Sequence, residues 1–228
     1  MYFSLTSQSI TNITFYESDY DKIIKSKQQL ISKSKLLSQF TSVSTNYHLL
    51  PCDITNTSKM QKQIEKSSSY ATTKNDLTIV ICECLLVYID KDVTIDILST
   101  LYKLFPNMVI LEYDLTGAND GFGREMVDNL KLRGIELRGF RDVPTLKEQV
   151  DRLKEIGMTQ VEMIDMLEVY YKLIPIEERK RIDSLEMMDE FEEFDLLQRH
   201  ACFEYGIALA NEDKYKHIKD VLKFSWKK

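Results

Sequence analysis

The sequence predicts an α/β fold built on a largely parallel sheet, closed by an antiparallel strand near the C-terminus and covered by a helical lid. Two observations predict it. Short apolar runs rich in β-branched residues alternate with segments of helical periodicity through the first half. Three of those runs also end close to an acid, at Asp19, Asp53 and Glu83. Glu83 is the most telling. An acid closing the apolar run Leu77 to Cys82 is costly unless it is paired or meets a ligand. The C-terminal end of a parallel strand, where α/β sheets bind ligands, gives it that use.

The elements follow in order. Ile13 to Asp19 reads as a short strand, and Asp21 to Ser34 as an amphipathic helix with Ile23, Ile24, Leu30 and Ile31 inward. Ser32 to Asn46 is too poor in apolar residues to hold an element and reads as a loop. Tyr47 to Leu50 is a brief strand closed by Pro51, Thr57 to Ser67 a helix, and Ser68 to Asp76 a polar connector. After the strand ending at Glu83, apolar residues recur at helical spacing from Val93 to Phe105 (Ile95, Leu98, Leu101, Leu104, Phe105). Met108 to Tyr113 is a buried strand, and Phe122 to Arg133 a helix ending near Gly134. Thr145 and Glu148 form a capping box for a helix that stops at Gly157. Gln160 to Asp165 is a further strand. A long acidic helix from Asp183, capped with Glu186, to His200 precedes a last strand, Ala201 to Leu209.

With 228 residues, the chain suits one α/β domain, and 43% hydrophobic and 29% charged content argues against disorder. A net charge of −6 gives no footprint for nucleic acid. No apolar run approaches the length of a membrane span, and no signal segment leads the chain, so the expected location is cytoplasmic, away from membranes. Cys52, Cys82, Cys84 and Cys202 form no CxxC pair and read as reduced thiols, with Cys82 and Cys84 on one face of a strand. His48, His200 and His217 are isolated, so no metal site is expected.

Any one of Asp19, Asp53 and Glu83 could be an ordinary loop acid. In register along one sheet edge, they would suit a nucleotide-like cofactor: ribose hydroxyls, an adenine amino group and a cationic end. Gly117 to Gly123 follows a strand and opens a helix, but its spacing fits neither phosphate-binding pattern, so it reads as a flexible connection. The acids between Glu186 and Asp195 are interleaved with Met187, Met188, Phe191 and Phe194, the pattern of a half-buried helix. Tyr170 and Tyr171 read as packing aromatics, with substrate stacking the rarer use.

Several motifs together carry a resemblance. Glu83-Cys-Leu-Leu-Val-Tyr88, Tyr113-Asp114 with Asp120-Gly-Phe-Gly123, Asp165-Met-Leu-Glu-Val-Tyr170, Ser184 to Glu190 and Arg199-His200 occur in the order and spacing of the leucine carboxyl methyltransferase family, which the chain resembles over residues 14 to 210. The resemblance implies the class I S-adenosylmethionine-dependent methyltransferase (Rossmann-like) sheet. It implies methylation of the C-terminal leucine carboxylate on the tail of the protein phosphatase type 2A catalytic subunit. It also implies that Asp19, Asp53 with Ile54, and Glu83 contact S-adenosylmethionine, that Tyr88 lies near the substrate, and that no side chain need act as acid or base. A related branch acts on tRNA in wybutosine synthesis and carries an additional propeller domain.

Two small departures are Tyr20-Asp21 after Asp19, where the family has Phe-Pro, and Asp114 in place of Glu. The larger one is at the front. The family has N-terminal helices with a substrate- and cofactor-facing Arg and Lys, then a first strand with a Gly-x-Gly loop. This sequence begins just after that loop. The expectation is therefore a single domain over residues 1–228, N-terminally truncated, with an in-frame upstream segment to be found. As given, it is either a methyltransferase or a non-catalytic remnant that binds partners.

Overall fold

The computed structural model describes residues 1–10, 12–41, 46–186 and 188–224. They form two compact units, Met1–Asp76 and Leu77–Lys228.

The first unit contains α1 (Tyr2–Ser7), β1 (Phe15–Asp19), α2 (Asp21–Lys33), α3 (Lys35–Thr41), β2 (Tyr47–Pro51), α4 (Thr57–Glu65) and α5 (Tyr70–Thr73). β1 and β2 are parallel, in register from Phe15 opposite Tyr47 to Asp19 opposite Pro51. An aromatic cluster anchors the pair: the Tyr2 ring stacks on Tyr47 at 4.5 Å, with Phe3 and Phe15 against its edges. The Tyr47 hydroxyl donates to Glu17 at 2.8 Å, and Lys27 closes on the same carboxylate.

Two expectations fail in this unit. Ile24 and Ile31 are buried along α2, but Ile23 and Leu30 are exposed. Residues seven apart share one line of a helix, and this short two-stranded sheet covers only that line. Within the expected loop 32–46 lies α3, because the Ser34 hydroxyl accepts the Leu37 N–H at 3.2 Å and starts a new turn. The rest of that loop, 42–45, is outside the described residues.

The second unit runs β3 (Thr78–Glu83), a 3₁₀ turn (Leu86–Tyr88), α6 (Lys91–Leu104), β4 (Asn107–Leu115), α7 (Gly121–Leu132), α8 (Arg138–Asp142), α9 (Leu146–Glu155), β5 (Gln160–Asp165), α10 (Met166–Glu168), a π-turn (Val169–Leu173), α11 (Ile176–Asp183), α12 (Phe191–Arg199), β6 (Ala201–Leu209) and α13 (Glu212–Val221). The sheet order is β3-β4-β6-β5; β3 and β4 are parallel, and β6 runs antiparallel to both its neighbours. β6 is the predicted antiparallel closure, but β1 and β2, expected in the same sheet as β3, pair in a separate two-stranded sheet. Met108, Val109 and Ile110 of β4 are fully buried, as a strand covered on both faces requires. Val109 packs with Tyr205, Ile207 and Tyr215, the last from α13. The capping box at Thr145 forms, and Gly157, with φ of 101°, ends α9.

The expected long acidic helix is two helices. Asp183 ends α11 instead of capping a helix, and its carboxylate accepts the Tyr170 hydroxyl at 3.0 Å. Residues 184–190 interrupt the run before α12 begins at Phe191, with Met187 outside the described residues. Cys84 is also misassigned by sequence. It lies beyond β3 with φ of 45°, while Cys82 is buried within the strand. No helix among the described residues is long and apolar enough to cross a membrane.

Glu112 of β4 and Glu204 of β6 stand directly opposite each other, both about 1% exposed. Arg152 of α9 reaches between them, its Nη2 donating to Glu112 at 2.5 Å and to Glu204 at 2.8 Å. Burial, then the facing Glu112 charge, holds the Glu204 carboxyl well above the ordinary range. Glu112 and Glu204 each leave one oxygen without a hydrogen-bond partner among the described residues.

Removing the guanidinium strands two buried acids. Arg152→Met is expected to lower the unfolding free energy by about 3–5 kcal/mol in urea melts. Adding Glu112→Leu and Glu204→Leu to it should recover most of that loss; no recovery would mean the trio is not one electrostatic unit.

Candidate functional site

In the second unit β3, β4 and β5 point the same way, so Glu83, Leu115 and Asp165 end on one edge of the sheet. The Glu83 carboxylate is exposed there and accepts no hydrogen bond among the described residues. Immediately after it, Cys84 adopts φ of 45° and donates its N–H to the Tyr113 carbonyl at 2.8 Å. That bend sends the chain into the 3₁₀ turn, which buries Leu86 and Val87 and leaves Tyr88 exposed.

Two contacts hold this turn from beneath. Gly139 of α8 lies so close that a Cβ there would sit 2.1 Å from the Leu86 carbonyl oxygen and 2.5 Å from that of Ile89. Asp114, near the end of β4, accepts the Val87 N–H at 3.0 Å with one oxygen and the Leu115 N–H at 2.8 Å with the other. Burial lifts its carboxyl from the ordinary value of 3.8 to about 6, against the lowering effect of those two N–H groups. The strand end itself is pinned by Gln149, whose amide donates to the Leu115 carbonyl at 2.8 Å while its oxygen accepts the Cys202 thiol.

The glycine-bearing connection 117–123 is closed on itself. Asp120 caps α7, accepting the Gly123 N–H at 2.8 Å, and its other oxygen meets His200 Nε2 at 2.8 Å. The second ring nitrogen, Nδ1, faces the Leu196 carbonyl at 2.8 Å, so both ring nitrogens are engaged. The Gly123 N–H, and after it His200, holds the Asp120 carboxyl below its usual range. Gly117 has φ of 89°, and a Cβ on it would strike His200 at 2.6 Å. A helix start already occupied by its own aspartate is no phosphate cradle, and the connection read from sequence as flexible is pinned instead.

In the first unit Asp19 closes β1 and Asp53 lies just past the C-terminal end of β2, and the Cys52 N–H donates to the Asp19 carbonyl at 2.9 Å. Asp19 Oδ1 accepts the Tyr20 N–H at 2.7 Å. Asp53 Oδ1 accepts the N–H and hydroxyl of Thr55 at 3.0 and 2.7 Å. Each carboxylate keeps a second oxygen without a hydrogen-bond partner among the described residues. Ile54 is half-buried beside Asp53. The structure thus brings Asp19, Asp53 and Ile54 together on one edge, and Glu83 and Tyr88 on another, each within its own unit.

Sequence reasoning missed Asp114 and the Asp120–His200 pair as supports of this edge. The Asp-Gly-Phe-Gly run carried a capping signal that could have revealed Asp120. Tyr113-Asp114 stood among the family motifs, but nothing in its sequence told that Asp114 would anchor the turn at Val87.

A model of the leucine carboxyl methyltransferase family matches residues 2–102. The chain is 30% identical over 219 residues to "Leucine carboxyl methyltransferase 1 homolog" of Arabidopsis thaliana, covering 90% of this chain and 65% of that protein. It is 34% identical over 141 residues to "Leucine carboxyl methyltransferase 1" of Schizosaccharomyces pombe, covering 62% and 44%. It is 25% identical over 225 residues to "tRNA wybutosine-synthesizing protein 4" of Rattus norvegicus, covering 92% and 32%. The chain therefore spans less than two thirds of the length of each of these relatives. Among solved structures, a putative methyltransferase from Thermobifida fusca superimposes with a TM-score of 0.52 at 9% identity, covering 86% of this chain and 64% of that one. An O-methyltransferase family protein from Burkholderia thailandensis gives 0.50 at 11% identity, covering 92% and 48%. The fold is the class I methyltransferase fold, with a Rossmann-like sheet flanked by helices.

The raised Asp114 carboxyl fixes a pH dependence. Its folded-state value of about 6 lies above the ordinary 3.8, so folding favours the protonated form. The resulting stabilisation is full below about pH 4, is lost as pH rises through 6, and amounts to about 3 kcal/mol. Asp114→Asn should remove it. The stability of the native chain relative to the variant, measured by urea unfolding, should fall by about that much between pH 4 and 7; a constant difference would disprove the assignment.

Proposed function

Homology to the leucine carboxyl methyltransferase family is the premise from which we propose that this chain serves S-adenosylmethionine-dependent methylation of a peptide C-terminal leucine carboxylate. The substrate is the tail of the protein phosphatase type 2A catalytic subunit, which makes the activity a form of phosphatase regulation. The observation that carries the reading is Glu83. It is an unpartnered carboxylate at a strand end on the ligand edge, followed at once by a turn anchored through Asp114 and Gly139 that holds Tyr88 out to solvent.

The donor set fits the cofactor. S-adenosylmethionine offers ribose hydroxyls, an adenine amino group and a cationic amino-acid end, all suited to carboxylate acceptors. Asp19, Asp53 and Glu83 each keep at least one carboxylate oxygen unused by the described residues. We assign Asp19 to the ribose hydroxyls, Asp53 to the adenine amino group with Ile54 against the ring, Glu83 to the cationic end and Tyr88 to the substrate side.

When bound, S-adenosylmethionine supplies a methyl group on a sulfonium with a neutral thioether as leaving group. The acceptor α-carboxyl has a pKa near 3.5 and is already an anion at neutral pH. One bond forms from carboxylate oxygen to methyl carbon as the carbon–sulfur bond breaks, and no proton moves. The chain's residues therefore contribute positioning and exclusion of water, not acid–base chemistry.

One observation favours a second reading. β3 is an edge strand of its sheet, and its Ile79 and Ile81 are 55% and 44% exposed, as on a surface that binds another segment. On that reading the 228-residue chain is a binding module.

Calorimetry separates the two: the methyltransferase reading expects micromolar S-adenosylmethionine binding, weakened about tenfold or more by Glu83→Ala with an unchanged melting temperature. Label from the methyl donor should pass to a peptide ending in leucine and not to its C-terminal amide. Absence of transfer by this protein would sink the proposal, and transfer to tRNA would move it to the wybutosine branch.

A further inference from the structure

Arg152 meets both acids of the buried trio through Nη2, and its Nε is spent on neither. That Nε is buried and has no hydrogen-bond partner among the described residues. The residue is 4% exposed, so bulk water does not serve the donor. A buried N–H left this way is costly, and native folds supply an acceptor for such groups.

Arg152 also lines a small cavity under the turn that follows Glu83. Leu86 and Val87 of the turn, Gly139 of α8, Gln149 of α9 and Asp114 of β4 are among its other walls. The space open to the centre of a water molecule is about 10 Å³, enough for about one molecule. Gln149 is already spent, its amide on the Leu115 carbonyl and its oxygen on the Cys202 thiol. Asp114 is not. Each of its oxygens accepts a single backbone N–H, from Val87 and from Leu115, and a carboxylate oxygen can accept two. A donor lacking an acceptor and an acceptor with capacity to spare thus face one cavity. An anion there would meet the Asp114 carboxylate, and a cation the guanidinium. A neutral molecule that both accepts and donates suits the pair, and at this size that molecule is water. Cavities with apolar walls stay dry; this one carries two buried ionisable side chains.

We propose that the cavity is a built site for one water molecule, which accepts from Arg152 Nε and donates to Asp114. The water joins the buried trio to the turn by a path separate from Gln149. Arg152 ties β4 to β6 through Glu112 and Glu204, and through the water it also steadies the carboxylate that holds Val87. The turn that presents Tyr88 takes its position from the interior of the sheet, whatever the methyl acceptor is.

A high-resolution crystal structure of the native protein should show an ordered water within about 3.2 Å of both Arg152 Nε and an Asp114 oxygen. In solution, with isotope-labelled arginine, the Arg152 Nε–H should give a nuclear Overhauser peak to water of the sign that marks a long-resident molecule. Val143 is buried and also lines the cavity, so Val143→Leu places one more methylene there. That variant should lose the water peak and exchange its Val87 N–H about five- to tenfold faster, the worth of about one hydrogen bond, with the β4 amides unchanged. A dry cavity, an ion in place of the water, or a Val143→Leu chain that loses the water at unchanged Val87 exchange overturns the inference. If the variant does not fold, the crystal structure and the water peak of the native protein decide.

Discussion

Two carboxylates facing each other across an antiparallel strand pair repel, and the larger unit is arranged around the guanidinium that makes Glu112 opposite Glu204 tolerable. The constraint follows from topology. Inserting β6 antiparallel between β4 and β5 sets the register, and the register brings the two acids together inside the sheet. Arg152 answers them from α9. Because it is held there, Gln149 of the same helix is held against the Leu115 carbonyl and the Cys202 thiol, and the end of β4 cannot drift. Asp114 then anchors the turn at Val87. The candidate ligand edge depends, through these contacts, on a salt bridge buried beneath it.

The turn after Glu83 shows how the fold separates support from use. Its buried residues, Leu86 and Val87, are fixed by backbone contacts from Asp114 and by the bare approach of Gly139. The groups left outward, Glu83 and Tyr88, make few demands on the protein. A second closed contact, Asp120 with His200, ties the start of α7 to the start of β6 and seals a helix terminus that would otherwise attract anions.

Most of the strands were legible because β-branched runs and bounding acids are local signals. The β5 and β6 spans, the capping box at Thr145 and the stop at Gly157 were read correctly for the same reason. The errors have physical causes. Ile23 and Leu30 share helical periodicity with Ile24 and Ile31, and only the width of the facing sheet decides which pair is buried. A hydroxyl cap at Ser34 made a helix from a stretch too polar to suggest one. The acidic segment 183–200 breaks because Asp183 is taken by a tyrosine thirteen residues earlier. The Glu112–Arg152–Glu204 trio was invisible, since strand register across long sequence separations leaves no trace in spacing. Of the site, the acids at strand ends were legible as residues, and what supports them was not.

The raised Glu204 carboxyl changes how the charge of the folded molecule follows pH. The formal value of −6 counts every acid as ionised, and folding shifts one interior acid towards its protonated form. Between the ordinary glutamate value and the raised one, native and denatured forms therefore bind different numbers of protons. In that range each molecule that opens delivers part of a hydrogen-ion equivalent to the buffer.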